Sequence, residues 1–474
     1  MTFAWLPPEL TAAVLTLLPV DELGRMNRVA RMFSSNPSPV EQALRLRAPA
    51  DVSPPPAGIP EVEWLFWLER RPLLAERLSG RCSAGLSHFA VAKADGSLLT
   101  WGDGYEDEPN DRFGDAVGLL GHGPSVLDVE VPTRCLLLGL EPQLRVCSLS
   151  CGPEHTLALC EGGEMMSWGC GDDGRLGHGN EQRQCFPRRI DHTRGTTTLG
   201  VIASDVTMVR MRAIAAGSSH SLAISEGGRL YAWGVHSASG QPNPPNVPNL
   251  LGQDEPLWLL PAAVPSPALV GVRLSAVAAG GSHSLLLASD GRVFSFGAYG
   301  DGGRLGHGDQ GPQRTPRLVS ALKEVRVVQI AAGDATSLAL DADGIVYQWG
   351  WLDKCDASAD AATLGEMSNA LVLPQRVELN GARICAISLG EGCPLVAVSE
   401  AGQCLWWDSD APHDETHVVE VAERIVTAVV DSQGGRILAI DAVGRVRFVD
   451  CAGEGVGDDE STSIETIGEL NLLK

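Results

Sequence analysis

The segment "GDDGRLGHG" at 171–179 places four glycines, two carboxylates and a histidine within nine residues. Such a composition suits a phosphate cradle, whose backbone N–H groups need glycine to approach an anion, or a loop of carboxylate and imidazole metal ligands. It nearly recurs at 300–308 as "GDGGRLGHG", and more weakly as "LLGHG" (119–123) and "LLGQD" (250–254). A catalytic loop is ordinarily unique in its chain, whereas a loop that returns at intervals marks repeated architecture. His88, His155, His220 and His283 also share one register, with Thr336 and Cys393 taking that place in later units. Equivalent positions in successive units lie whole units apart, too far for one ion held at about 2 Å from each ligand. The spacing therefore favours hydrogen-bonded packing over a metal ring. No nucleophile elbow, H-E-x-x-H, P-loop lysine or kinase signature occurs. No catalytic residue, metal or cofactor is expected. The twelve cysteines form no C-x-x-C pair and read as buried thiols in strands.

The elements that carry these residues emerge when the segments before the glycine loops are stacked. They read "SAGLSHFAVAKADGSLLTWG" (83–102), "SCGPEHTLALCEGGEMMSWG" (150–169), "AAGSSHSLAISEGGRLYAWG" (215–234) and "AAGGSHSLLLASDGRVFSFG" (278–297). "AAGDATSLALDADGIVYQWG" (331–350), "SLGEGCPLVAVSEAGQCLWW" (388–407) and "VDSQGGRILAIDAVGRVRFV" (430–449) follow with growing divergence. In each, two apolar runs flank a glycine turn, Asp-Gly or Gly-Gly in the first five units and Ala-Gly and Val-Gly in the last two, the pattern of a β-hairpin. Gly85, Gly152, Gly217, Gly280 and Gly333 share a register that demands a sharp turn or a close backbone approach. Trp101, Trp168, Trp233 and Trp349 read as core. Seven strand-rich units that cannot bury their faces alone are satisfied by radial stacking in a β-propeller.

Composition agrees. The 474 residues carry a formal charge of −23, with 54 glycines and 30 prolines, as short strands joined by turns require. An acidic chain lacks the basic footprint of a nucleic-acid binder. No apolar run of membrane-spanning length occurs and the first residues lack a secretory pattern. No membrane association is expected, and the expected location is intracellular, cytoplasmic and/or nuclear.

The pattern A-G-x-x-H-S/T … D-G-x-[VL]-[YF]-x-W-G … L-G-H-G … P resembles the regulator-of-chromosome-condensation repeat, over roughly residues 80–450. The resemblance implies a seven-bladed propeller and makes 171–179 a structural inter-strand loop. Residues 5–35, "WLPPELTAAVLTLLPVDELGRMNRVARMFSS", differ in kind: Leu10, Val14, Leu17 and Leu18 form a helical stripe that Pro19 ends. Their motif order resembles the F-box, the helical module that docks on Skp-family adaptors of cullin ubiquitin ligases. Carried over by motif, the adaptor-facing positions are Leu6, Pro7, Leu10, Val14, Leu15, Leu18, Pro19, Leu23, Val29 and Phe33. The expected organisation is therefore mainly β with a small all-α beginning. Residues 1–48 form the F-box-like domain, 49–80 a proline-rich spacer with a linker helix at 61–71 (Trp64, Leu65 and Leu68 on its apolar face), and 81–474 the propeller.

These resemblances imply a non-catalytic substrate receptor whose partners are a Skp-family adaptor, the cullin core and a protein target. The alternatives are regulation of a small GTPase, since the best-known relative of this propeller is an exchange factor, or a general protein-interaction propeller. Two further expectations concern the ring. Its C-terminal segment "TSIETIGELNLL" (462–473) is expected to complete the blade of residues 83–102. The long insertions after the first, third and fifth W-G are expected to crowd one face and bind the target. The acidic stretch at 103–115, with Tyr105, Glu106, Asp107, Glu108, Asp111 and Arg112, is the leading candidate.

Overall fold

The computed structural model describes residues 43–45, 47, 55, 60–78, 80–104, 118–126, 128–136, 144–191, 209–234, 258–297, 301–351, 370–390, 395–407, 416–419, 424–431, 436–450 and 464–471. The chain divides into two compact units, Met1–Leu78 and Ser79–Lys474. In the first, a helix spans Glu61–Leu78, seven residues beyond the expected end at 71. It continues through Pro72 despite the lost N–H. Trp64, Leu65, Trp67, Leu74 and Leu78 are buried, so Trp67 joins the apolar face that Leu68 only half occupies. Arg45 Nη2 donates to Glu61 Oε2 at 2.6 Å within the same unit. The ten adaptor-facing positions from Leu6 to Phe33 lie outside the described residues.

The second unit is a seven-bladed β-propeller, seven four-stranded antiparallel sheets in which chain order equals strand order. Blade one runs Cys82–Ala84, His88–Ala92, Leu98–Asp103, Asp128–Arg134 from the axis outward. The innermost strands of the other blades are Val146–Cys151, Met211–Ala216, Leu274–Ala279, Val327–Ala332, Ile384–Leu389 and Ile425–Val430. Each neighbours the next, and the seventh neighbours the first, so the ring is closed.

Second strands such as His155–Cys160, His220–Ser225 and His283–Ala288 are buried at every residue. They lie mid-blade with another sheet on either face, which is why their sequences are continuous apolar runs rather than alternating ones. The blades pack through shared apolar clusters. Leu157 and Met165 of blade two meet Ile214 and Trp233 of blade three, and Leu338 of blade five meets Leu405 and Trp407 of blade six. The last two repeats, inferred from sequence mainly by count, form complete blades.

The C-terminal segment does not complete the first blade. Ile464–Asn471 pairs with Arg445–Asp450 as the outer strand of blade seven, and blade one has its own outer strand in Asp128–Arg134. The physical reason lies in the strand exemplified by "TPRLVSAL" (315–322). Gln313–Leu318 is the outer strand of its own blade, paired with Val293–Gly297, not a prelude to the next unit. Each repeat is thus a whole blade, and no vacancy is left in the first. Where the first and seventh blades meet, Phe448 contacts Phe89 and Trp101 with ring centroids 4.9 and 6.1 Å apart.

Outer strands are free edges, and those of blades one to five each carry a proline, at Pro132, Pro187, Pro261, Pro316 and Pro374. Each sits where the ladder register shifts. A missing N–H at a bulge blunts edge-to-edge association. Because Phe448 packs on both Phe89 and Trp101 across the closing seam, replacing it with alanine is expected to cost about 2–4 kcal/mol. Urea unfolding followed by tryptophan fluorescence checks this, with the loss appearing in the earliest transition.

Candidate functional site

In every blade the first and third connections leave from one rim of the ring, while the second connection and the crossover to the next blade leave from the other. The first rim gathers the A-G-x-x-H turns and the G-R-L-G-H-G loops. There the histidine register becomes a set of latches between blades. His88 Nε2 meets Thr156 Oγ1 at 2.8 Å, His155 meets Ser221 Oγ at 2.8 Å, His220 meets Ser284 Oγ at 3.0 Å and His283 meets Ser337 Oγ at 2.8 Å. Ser221 and Ser337 give their own hydrogens to the carbonyls of Arg175 and Arg304, so His155 and His283 must donate from Nε2. Trp233 and Trp349 donate to the same two carbonyls at 2.8 and 2.9 Å.

The loop at 171–179 is therefore a clamp between blades rather than a cradle. Its Leu176 carbonyl accepts from Ser167 at 2.7 Å, while His178 Nε2 reaches the same hydroxyl at 2.9 Å. Gly177 has φ +75, and a Cβ there would press on Trp233 Nε1 at 2.8 Å. The axial glycines serve a close approach: a Cβ on Gly152 would collide with the carbonyl of Gly217, and the pattern repeats from Gly85 through Gly333. Trp168, Trp233 and Trp349 are fully buried and Trp101 nearly so.

Sequence reasoning missed the charged layer beneath the loops. Arg175 is buried at 5% exposure and pairs with Glu154 and, at 3.4 Å, with Asp173. Burial raises the Asp173 carboxyl above the usual range although Arg175 opposes the shift. Asp173 holds φ 59, a left-handed conformation that Gly302 supplies in blade four; the contact with Arg175 helps offset that strain. Arg304 is buried in the equivalent place, donating to the Asp334 main-chain carbonyl at 3.3 Å. The visible signal was the arginine shared by the two G-R-L-G-H-G copies. With both arginines buried, the exposed charge described on this rim includes Asp103, Asp172, Glu181 and Asp309. The rim is acidic.

Tyr105, Glu106, Asp107, Glu108, Asp111 and Arg112 lie outside the described residues, as does Cys393. Their flanks, Asp103 and Gly118, belong to the acidic rim. The axial channel holds about 190 Å³ and is lined largely by alanine, serine and valine, below the roughly 300 Å³ of a typical small-molecule site. Among the described residues no group of three His, Cys, Asp or Glu side chains is arranged to hold a metal ion. Burial pushes the Cys82, Cys151, Cys160 and Cys170 thiols up to about 12, which leaves them protonated and unreactive at neutral pH.

Burial also takes His88, His178 and His307 down to about 4, and His155 and His283 well below 6.5. The unfolded chain takes up protons as pH falls below about 6.5 while the folded chain does not. Stability present above that pH is therefore lost progressively toward pH 4, by up to about 1.4 kcal/mol per pH unit for each histidine. His283→Gln, which keeps a donor for Ser337, is expected to shrink the stability difference between about pH 7 and about pH 5. Urea unfolding at the two pH values measures it.

Comparison with known proteins places this geometry. The sequence profile of the RCC1-like domain matches residues 69–396. The ultraviolet-B receptor UVR8 of Arabidopsis thaliana is 30% identical over 309 residues, covering 57% of this chain and 64% of the receptor. The E3 ubiquitin-protein ligase HERC2 of Mus musculus is 29% identical over 272 residues, covering 56% of this chain but 5% of the ligase. The chain thus spans less than two thirds of either relative. Among solved structures, Saccharomyces cerevisiae Prp20p superposes with a TM-score of 0.56 at 20% identity, covering 80% of this chain and 84% of that one.

Proposed function

The chain belongs to the RCC1-like domain family, and from that premise we propose that it is a non-catalytic substrate receptor whose propeller captures a protein target for a ubiquitin ligase. The observation that carries this reading is the F-box-like motif order in residues 1–48, joined in one chain to a propeller of this family. Leu6, Pro7, Leu10, Val14, Leu15, Leu18, Pro19, Leu23, Val29 and Phe33 face a Skp-family adaptor. The acidic rim, with Tyr105, Glu106, Asp107, Glu108, Asp111 and Arg112 on one of its connections, faces the target. HERC2, a ubiquitin-protein ligase by name, carries a matching segment within a far longer chain. Here the ligase chemistry is supplied by the recruited cullin core, at an intracellular site.

An acidic rim selects a partner with a basic surface, and its attraction weakens as salt screens it. A second reading, regulation of a small GTPase, draws support from the yeast propeller, which is described by its binding to Gsp1p and histones. Histones are basic, and the acidic rim suits partners of that charge under either reading.

Replacing Leu6 and Pro7 together with alanine is expected to abolish co-precipitation of a Skp-family adaptor while the propeller stays folded. Undiminished adaptor binding by that variant would sink the F-box assignment, and accelerated nucleotide release from a Ran-type GTPase by a wild-type chain that binds no adaptor would favour the second reading. Exchanging 103–115 for the short loop of the second repeat is expected to reduce target capture and flatten its salt dependence, with adaptor binding unchanged. Proximity labelling of the two chains provides the comparison, and an identical set of labelled targets would exclude this part of the rim.

A further inference from the structure

Three of the seams are closed by one fitting. A tryptophan donates its indole N–H to a loop carbonyl of the preceding blade: Trp168 to Leu119 at 2.8 Å, and Trp233 and Trp349 to Arg175 and Arg304. The residue offering that carbonyl is followed each time by Leu-Gly-His-Gly. The first glycine lies against the indole, because a Cβ on Gly121, Gly177 or Gly306 would press on its nitrogen. The second donates to the outer strand of the receiving blade, Gly123 to Cys185 at 2.9 Å, Gly179 to Leu259 at 2.8 Å and Gly308 to Val372 at 2.9 Å. The next side chain of that strand, Phe186, Leu260 or Leu373, lies against the same glycine. An indole donor, a strand carbonyl and an apolar side chain thus recognise one turn.

Blade one carries all three groups. Trp101 pairs across its sheet with Phe89 as Trp168 does with Thr156, so it stands in the donor register. It is 2% exposed, and its Nε1 has no acceptor among the described residues. An indole nitrogen can only donate, so an N–H shut away from water and unpaired is costly until a carbonyl reaches it. By ladder register Glu130 takes the place of Cys185 and Val131 that of Phe186. No described loop N–H reaches the Glu130 carbonyl. Val131 is 65% exposed, against 37% for Phe186 and 44% for Leu373 beside their loops. Phe89 offers no hydroxyl, but in blade two Thr156 turns its hydrogen to Cys151 and the indole still holds the carbonyl.

We propose that this corner of blade one docks a segment of another protein, a Gly-x-Gly turn flanked by basic residues. The carbonyl two residues before its first glycine meets Trp101, and the N–H of its second glycine meets the Glu130 carbonyl. The three Leu-Gly-His-Gly segments of this chain are engaged in their own seams, so a second copy has none to offer. The connection leaving blade seven, "CAGEGVGDDESTS" (451–463), does contain Gly-x-Gly. Its Glu454, Asp458, Asp459 and Glu460, however, share the sign of the exposed Asp103, Asp128 and Glu130 beside the dock. Like charges set against each other disfavour that occupant and favour one bearing lysine or arginine. Because the indole is covered, seating the carbonyl displaces its cover, and association is expected to be slower than for a rigid surface. The inference rests on neither the ligase nor the GTPase reading.

The probe is a fluorescein-labelled peptide, Lys-Gly-Arg-Leu-Gly-His-Gly-Lys, which sets residues 174–179 between two lysines. Anisotropy titration with the full chain is expected to show saturable binding that a scrambled peptide of the same composition lacks. Trp101→Phe, which removes the donor and keeps a ring, and Val131→Lys, at an exposed position, are each expected to weaken binding roughly tenfold. Val418→Lys, the same charge change on the outer strand of blade six, should bind as the wild type does. In the chain isotope-labelled at tryptophan, the Trp101 indole proton, assigned by its loss in Trp101→Phe, is expected to move downfield as peptide is added. Should thermal melting show Trp101→Phe unfolded, Val131→Lys and the scrambled peptide decide the matter. No saturable binding by the wild type, equal binding of the scrambled peptide, or equal losses in Val131→Lys and Val418→Lys would each overturn the proposal. So would a Trp101 proton already as far downfield as those of Trp168 and Trp233 before peptide is added, since the chain itself would then supply the acceptor.

Discussion

The seam between adjacent blades is the constraint on which the rest of this propeller depends. Each sheet is apolar on both faces, so a blade reaches its native burial only when both neighbours are in place. Contacts at three distances from the axis hold the seam. Nearest the axis, Gly152 gives way to the carbonyl of Gly217. Farther out, His155 reaches Ser221, and near the rim Trp233 takes the Arg175 carbonyl. The burial of Arg175 against Glu154 follows from that demand, because the loop offering its carbonyl to the next blade must be held rigidly.

The seams are chemically unequal. Between blades five and six the latch is replaced by amides: Gln329 exchanges two hydrogen bonds with Ile387 at 2.8 and 3.1 Å, and Gln348 accepts from Trp407 at 3.2 Å. Blades six and seven meet through apolar side chains such as Val398, Ile425 and Ala439. At the closing seam Phe89 stands where blades two to five place a hydroxyl, and Trp101 Nε1 lacks a hydrogen-bond partner among the described residues. Among the described residues the seams thus shift from histidine–hydroxyl latches in the early blades to amide and apolar contacts in the later ones.

Much of this was legible before any coordinates. Repetition of Gly, His and Trp at fixed offsets identified the blade, because the same local problem is solved again in each unit. The sorting of histidines into packing rather than metal binding followed from spacing alone. What escaped was relational. The pairing of Ile464–Asn471 with its own hairpin could not be read from its apolar pattern, since that pattern fits either end of the ring. The roles of Gln329 and Gln348 were hidden because each substitutes for a motif that is missing. The Arg175–Glu154 pair joins residues twenty-one positions apart, and nothing local to either advertises the other.

That each repeat is one whole blade bears on how such a ring can change over evolutionary time. Where neighbouring repeats share a sheet, copying or deleting one repeat in the gene must rebuild two sheets at once. Here a duplicated stretch running from one inner strand to the next outer strand would insert a finished module, needing only two seams to be matched. The divergent sixth and seventh blades, with their own seam chemistry, are compatible with such independent drift of modules. Between them the module boundaries also lie in the crossovers, so chain breaks and joins there leave every hydrogen-bonded ladder intact.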